Sequence, residues 1–145
     1  MATIKSYTTV EQSRKLAEIL PLESADGFWE YHDKWYSEGD EWEGYEYYPR
    51  AEPYLEYTRK ENEWKEDKSS VPCWSLAALL EQLPYELCDD DGNSSYLQIN
   101  KEDDVYQLVY ADPYGNFESI ETDRHEHFVD ACVAMIESLH ELNLL

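Results

Sequence analysis

The chain has 145 residues, which suits one domain over 1–145, and it carries 33 acidic against 11 basic side chains, a net charge of -22. This charge repels nucleic acid and anionic membranes, so it argues against direct binding to either and favours a basic partner. So acidic a chain tends to stay unfolded, but its 21 aromatic residues oppose that tendency because each ring buries a large area. The sequence therefore predicts a folded protein of modest, salt-sensitive stability.

Targeting and redox signals indicate the cytoplasm. Residues 1–7 contain no apolar segment typical of a signal peptide, and the longest uncharged run, 69–80, falls short of the roughly 18 residues that span a bilayer. Cys73, Cys88 and Cys132 are odd in number and widely spaced. We interpret them as three reduced thiols, because this pattern does not suit a disulfide framework.

A first helix is predicted after Thr9. Thr9 and Gln12 have the spacing of a capping box, and Pro21 ends the helix. The apolar residues between them recur at near-helical spacing: Val10, Leu16, Ala17, Ile19 and Leu20.

The middle of the chain is acidic and aromatic. Residues 23–68 hold 15 acidic and 6 basic side chains, and residues 28–64 contain 12 of the 21 aromatic rings. Strands are predicted at 27–32 and 54–59, joined by a loop through 37–44 that is rich in Glu, Asp and Gly. We interpret 33–68 as an acidic, aromatic insert that is partly flexible.

A second helix is predicted from Ser70 or Pro72 to Leu83, with Pro84 after it. We expect it to be the most buried helix, because one apolar face runs along its length: Trp74, Ala77, Ala78, Leu80 and Leu83. A hydrophilic turn over 89–93 follows.

The last third predicts a meander and a helix. Strands at 96–100, 105–111 and 117–122 are linked by turns at 101–104 and 112–116. Asp123 is the predicted N-cap of the final helix, with Glu126 at N3. Its core stripe is Phe128, Cys132, Met135, Ile136, Leu139 and Leu142. The predicted fold is therefore α+β, with an antiparallel sheet that includes this C-terminal three-stranded meander, packed against about three helices.

Three blocks resemble small uncharacterised proteins encoded by phages and integrated elements of gut Bacteroidetes. They are TTVEQSRKLAEILPLESAD at 8–26, VPCWSLAALLEQLP at 71–84 and DACVAMIESLHELNLL at 130–145, about a third of the chain. The resemblance implies a phage or mobile-element setting and implies no activity.

Sites for metals and catalysis are not predicted. If a calcium-binding loop started at Asp89, Ser94 would stand where the loop needs glycine and Asn100 where it needs a bidentate Glu. We therefore interpret the segment that starts at Asp89 as a solvated turn. His125 and His127 are two residues apart, and side chains at that spacing point in different directions on a helix, which does not suit a zinc site. We expect both histidines in a solvent-facing first helical turn. Neither a nucleophile elbow nor a phosphate-binding glycine loop is present, and Cys73 is interpreted as a buried structural thiol. We expect no enzyme activity, no cofactor and no metal.

Acids and aromatic rings alternate densely between residues 28 and 64. One interpretation is a surface β region whose rings pack inward; the other, equally weighted, is a binding face with aromatic anchors and an acidic rim. The candidate binding residues are Trp35, Tyr36, Glu38, Asp40, Glu41, Trp42, Glu43, Tyr45, Glu46, Tyr47 and Tyr48.

The net charge suggests a function. Duplex DNA carries one charge per ~1.7 Å, so 22 phosphates span about 37 Å, which is close to the roughly 35–40 Å diameter expected for a compact domain of this length. The leading hypothesis is a non-enzymatic binding protein that engages a basic protein surface, in its specific form a DNA mimic or anti-defence inhibitor. The alternatives are an aromatic-lined carbohydrate- or peptide-binding module and an accessory protein of unknown function. The sequence predicts no oligomeric state.

Overall fold

The computed structural model describes residues 5–33, 45–50 and 70–145, which form an α+β fold with two antiparallel sheets. The predicted fold class is confirmed. Three α-helices lie in these ranges: α1 (Val10–Leu16), α2 (Leu76–Gln82) and α3 (Phe128–Glu141). The strands are β1 (Gly27–Asp33), β2 (Tyr45–Arg50), β3 (Val71–Cys73), β4 (Glu86–Cys88), β5 (Ser94–Glu102), β6 (Val105–Ala111) and β7 (Ile120–Glu121).

The chain divides into two compact units. We call Thr9–Ser75 the N-terminal unit, and Met1–Thr8 together with Leu76–Leu145 the C-terminal unit. The expectation of one domain with an insert at 33–68 stays a prediction.

The N-terminal unit contains α1, a 3-10 turn at Leu22–Ser24 and a sheet in the order β2-β1-β3, antiparallel throughout. The capping box predicted for α1 is confirmed: the Thr9 hydroxyl accepts from the Gln12 N–H at 3.1 Å, and the Gln12 side chain accepts from the Thr9 N–H at 3.0 Å. The buried Trp74 indole donates to the Ser24 hydroxyl at 2.9 Å, which satisfies its polar atom inside the core.

The second helix starts later than predicted. Residues 71–73 form β3, whose partners on β1 include Phe28 opposite Pro72. Proline is tolerated there because β3 is the last strand in the order of its sheet. The helix therefore begins at Leu76 rather than at Ser70 or Pro72.

The strand predicted at 27–32 is confirmed as β1, and the strand predicted at 54–59 lies outside the described residues. Strand β2 was not predicted; it follows directly on the predicted 37–44 loop and pairs antiparallel with β1.

The C-terminal unit is built on a sheet in the order β4-β5-β6-β7, antiparallel throughout. The predicted meander is present as β5, β6 and a shortened β7, while β4 was not predicted. The β5–β6 hairpin turns through two residues, Asp103 and Asp104, which both have positive φ (46° and 64°). Positive φ at both positions matches the twist of the flanking strands, and Asp is among the residues that tolerate it.

Helix α3 supplies half of the buried apolar residues in the described part of this unit. The Phe128 ring of α3 packs against the ring of Tyr106, near the start of β6, with 5.0 Å between the ring centroids. Seven residues of α3 are buried, against two of α2, so the expectation that the second helix is the most buried was wrong. The α3 set is Val129, Ala131, Cys132, Val133, Met135, Ile136 and Leu139. None of the helices in the described ranges has the length and apolar character that crossing a bilayer requires.

The final helix also begins later than predicted. His125 exchanges two backbone hydrogen bonds with Tyr106, at 2.7 and 2.9 Å, which holds residue 125 in an extended bridge to β6. Helical backbone is impossible while that bridge exists. The N-cap is consequently His127, without a side-chain cap, and not Asp123.

Leu108→Ala provides a stability test with a matched control. Leu108 and Ile99 face each other across β6 and β5, yet Leu108 is 0% exposed and Ile99 is 45% exposed. We expect Leu108→Ala to lower the free energy of unfolding by about 2–5 kcal/mol, because it leaves a cavity, and Ile99→Ala to lower it by less than about 1 kcal/mol. Urea denaturation measures both, and equal losses would contradict the packing described.

Candidate functional site

The two ends of the four-stranded sheet carry different turns. Strand β4 leads into the turn at 89–93 and β6 leads into the turn at 112–116, so antiparallel pairing brings both turns to one end, the turn end. The loop at 103–104 closes the opposite end, the hairpin end. A cavity of about 210 Å³ is lined by residues of both turns, which shows that they are neighbours.

The Lys and Arg side chains in the described part of the C-terminal unit lie at the hairpin end. Lys101 lies 5.4 Å from the centroid of the Tyr106 ring, and the Arg124 guanidinium is 3.7 Å from the Glu102 carboxylate. Lys5 forms an ion pair with Asp130 in the first turn of α3, and this turn packs beside Tyr106. These three are the Lys and Arg residues in the described part of this unit.

The turn end is acidic. Helix α3 runs from the hairpin end toward the turn end. Its last turn therefore lies at the turn end, against residues 117–120. No Lys or Arg from the described part of the C-terminal unit is found at this end. The carboxylates there are Asp89, Asp90, Asp91, Asp112, Glu118 and Glu141.

Both turns use the same sequence, Asp-x-x-Gly-Asn. In the first, the Asp89 carboxylate accepts from the backbone N–H groups of Asp91 at 3.0 Å and Asn93 at 2.8 Å, and from the Asn93 side-chain amide at 2.9 Å. Gly92 has a φ of +82°, which L side chains rarely adopt. The Asn93 side-chain hydrogen bond, followed by the backbone N–H bonds, lowers the pKa of Asp89.

The second turn repeats this arrangement. The Asp112 carboxylate accepts from the backbone N–H groups of Tyr114, Asn116 and Phe117 at 2.8–2.9 Å, and Gly115 has a φ of +75°. Because these N–H groups are bonded to Asp112, they do not pair with β6. The third strand of the meander therefore starts at Ile120, although it was predicted to start at residue 117.

Tyrosine rings lie beside these carboxylates. Tyr96 and Tyr114 line the cavity between the turns together with the amides of Asn93 and Asn116. Tyr114 is 87% exposed and Tyr85, whose ring centroid is 5.7 Å from that of Tyr96, is 74% exposed. Exposed rings with carboxylates around them suit a cationic or planar group, because a guanidinium can stack on the ring while it pairs with the acid.

The structure describes four of the eleven binding residues predicted from the sequence. Seven of them lie outside the described residues: Trp35, Tyr36, Glu38, Asp40, Glu41, Trp42 and Glu43. The other four, Tyr45, Glu46, Tyr47 and Tyr48, are backbone positions of β2 that pair with residues 30–33 of β1. Their role stays a prediction.

The thiols and histidines have structural surroundings. Burial raises the pKa of Cys73 to about 12, with Asp26 adding to the effect, and burial raises that of Cys132 to about 12. His125 and His127 precede α3, so the expectation that they lie in its first turn was wrong. In the described ranges, no group of three or more His, Cys, Asp or Glu side chains is placed to hold a metal ion.

Two signals in the sequence could have located the turn end. The Asp-x-x-Gly-Asn repeat at 89–93 and 112–116 is one. The other is the charge of residues 69–145, which hold 16 acidic and 2 basic side chains, a stronger imbalance than in the aromatic middle. Comparison with protein-family models, curated proteins and solved structures gives no match to this chain.

Asp89 should make stability depend on pH in the acid range. The pKa of Asp89 is lowered in the folded state. Its contribution to the free energy of unfolding is therefore present above the pKa of the unfolded chain, about 3.9, and is lost as the pH falls through the folded pKa. We expect Asp89→Asn to reduce the decline of stability below about pH 4, whereas Asp90→Asn, an equal change of charge at an exposed neighbour, changes it less. Urea unfolding at several pH values measures this. A carboxyl NMR titration that gives Asp89 a pKa at or above its ordinary value would contradict the turn geometry.

The three thiols should react at two rates. Cys88 is exposed, whereas Cys73 and Cys132 are buried. With a pKa of about 12, a buried thiol is ionised in about one molecule in 10⁵ at pH 7. We expect Ellman's reagent to modify one thiol quickly in the native protein and the other two after denaturation. Cys88→Ser should remove the fast phase and Cys132→Ser should leave it; a fast phase that survives Cys88→Ser would show that a buried thiol is accessible.

Proposed function

We propose that this chain is a non-enzymatic acidic binding protein, of phage or mobile-element origin, that engages a basic surface on another protein. The observation that supports this most directly is the uneven placement of Lys and Arg in the described part of the C-terminal unit, since carboxylates lie at both ends of its sheet. Its Lys and Arg residues in the described ranges lie at the hairpin end, while the turn end presents carboxylates. A surface of one sign attracts an oppositely charged partner and orients it during approach.

The exposed carboxylates contribute modestly to affinity. An exposed ion pair contributes about 0.2–1 kcal/mol, so three such pairs amount to about 1.5 kcal/mol, or tenfold in Kd. Carboxylates of this kind mainly raise the association rate and select a basic partner. The remaining affinity needs contacts that exclude water.

The tyrosines at the turn end are suited to those contacts. Tyr85 and Tyr114 are large side chains that stay exposed in the folded chain. Tyrosine is enriched among residues that dominate binding energy, since it buries a large ring and keeps a hydroxyl for hydrogen bonding. An Arg-rich partner would pair with the carboxylates and stack on these rings.

In its specific form, this function is DNA mimicry. A partner that binds DNA presents Lys and Arg at the spacing of phosphates, and carboxylates at the turn end would occupy the same groups. The expected consequence is competition, because duplex and chain cannot occupy one basic groove together. Displacement of a fluorescent duplex from a DNA-binding protein would distinguish this form from binding at another basic surface.

A carbohydrate- or peptide-binding module is the second candidate. The observation that favours it is that the exposed Tyr114 and the half-buried Tyr96 line one cavity together with Asn93 and Asn116. Sugar rings stack on aromatic faces, and amides hydrogen-bond to hydroxyl groups. Binding of that kind would change little with ionic strength, whereas binding to a basic surface would weaken steeply with salt.

Two variants of equal net charge test the leading proposal. The first, Asp90→Asn/Asp91→Asn/Glu118→Gln, neutralises three carboxylates at the turn end. The second, Asp103→Asn/Asp104→Asn/Glu126→Gln, neutralises three at or near the hairpin end and keeps residues that tolerate positive φ. We expect the first to weaken binding of a lysine-rich peptide about tenfold and to lower its salt dependence, and the second to have a smaller effect. Fluorescence anisotropy at low and high salt measures both.

The outcome that contradicts the proposal is equal behaviour of the two variants. That result would mean that net charge, and not a face, attracts the peptide. Failure of the wild-type chain to bind the peptide at low salt would contradict it as well.

A further inference from the structure

A groove lies on the helix side of the turn end. It is formed between residues 117–120 and the end of α3, and it has a volume of about 520 Å³, within the range of ligand-binding clefts. Its apolar lining consists of Phe117, Ile120, Leu142 and Leu144. Leu142 is 54% exposed although it ends the apolar stripe of α3. The stripe thus extends beyond the part of the core that covers it, which leaves apolar surface facing solvent.

The rim of this groove is negative. Glu118 and Glu141 line it, both are exposed, and no basic side chain is among its lining residues. The three Lys and Arg side chains in the described part of the unit lie at the hairpin end. An apolar floor with two carboxylates at its edges is complementary to an apolar side chain that has Lys or Arg beside it.

The groove adjoins the tyrosine cavity. Asn116 lines the cavity and the next residue, Phe117, lines the groove, so the two sites are one residue apart along the chain. One basic segment could therefore contact the carboxylates of both sites. This continuity links the groove to the binding face proposed above.

From these observations we infer that the groove is the anchoring site for an apolar residue of the basic partner, held by a segment in which a leucine-like side chain is flanked by Lys or Arg. The inference rests on the proposed function and adds the chemistry of the partner segment. Charge opposes a second copy of this chain as the occupant, because Glu118 and Glu141 would then face a molecule that carries a net charge of -22.

The test uses the full chain and two synthetic peptides. One carries a pair of leucines flanked by lysines; the other has serines in place of the leucines and the same charge. The chain variants are Leu142→Ser, at the groove, and Ile99→Ser, a control of similar exposure that does not line it. Both positions are exposed, so both variants should fold, and circular dichroism verifies this.

We expect the wild-type chain to bind the leucine peptide about tenfold more tightly than the serine peptide, and Leu142→Ser to abolish this difference. Ile99→Ser should preserve it. Equal affinity of wild type for both peptides, or a difference that Leu142→Ser leaves intact, would overturn the inference while salt-sensitive binding of both peptides would still support the proposed function. Loss of binding to both peptides at low salt would contradict the proposed function itself. Sedimentation that shows a wild-type dimer abolished by Leu142→Ser would overturn the inference in favour of a second copy.

Discussion

The packing of α3 along β6 is the interaction on which the organisation of the C-terminal unit depends. It begins where Phe128 meets Tyr106, and burial between strand and helix continues to Tyr110, whose pKa burial raises strongly, with Cys132 close enough to add to the effect. The direction of the helix follows from this contact, since its first turn lies at the hairpin end and its last turn at the turn end. Because the helix is fixed in that direction, Lys and Arg residues far apart in sequence collect at the hairpin end, and the carboxylates of the turn end have no Lys or Arg beside them among the described residues. The proposed binding face is thus a consequence of core packing.

The sequence predicted elements whose signals are local. The capping box at Thr9, the strand at 105–111 and the apolar stripe of α3 depend on neighbours within a few residues, and each is found in the structure. Two of the boundaries that were wrong depend on long-range backbone pairing. β3 replaces the predicted start of a helix because β1 supplies its partner, and the bridge between His125 and Tyr106 delays α3. The local sequence of a segment does not indicate which distant strand it will pair with.

The candidate site was harder to predict for a related reason. Acids and rings are dense between residues 28 and 64, and that density directed the prediction to Trp35 and its neighbours. The turn end assembles from residues that are sparse in sequence and become neighbours only when β4, β5 and β6 pair. Its one local signal, the repeated Asp-x-x-Gly-Asn turn, predicts conformation rather than function. Net charge suggests a class of partner to test, but it does not indicate where on the surface the charge lies.

Collecting carboxylates at one end of a sheet opposes folding, because like charges repel one another in the compact state. The two turns reduce this cost through hydrogen bonding. Asp89 and Asp112 each accept from three N–H groups, which stabilises the ionised form and fixes the backbone that carries the other acids. Asp90 and Asp91 remain exposed beside them. The acids of the turn end therefore divide into two kinds: those that hold the turns, whose loss would disturb the fold, and those left facing solvent, which are the ones available to a partner. A substitution series that does not separate these two kinds would confuse stability with binding.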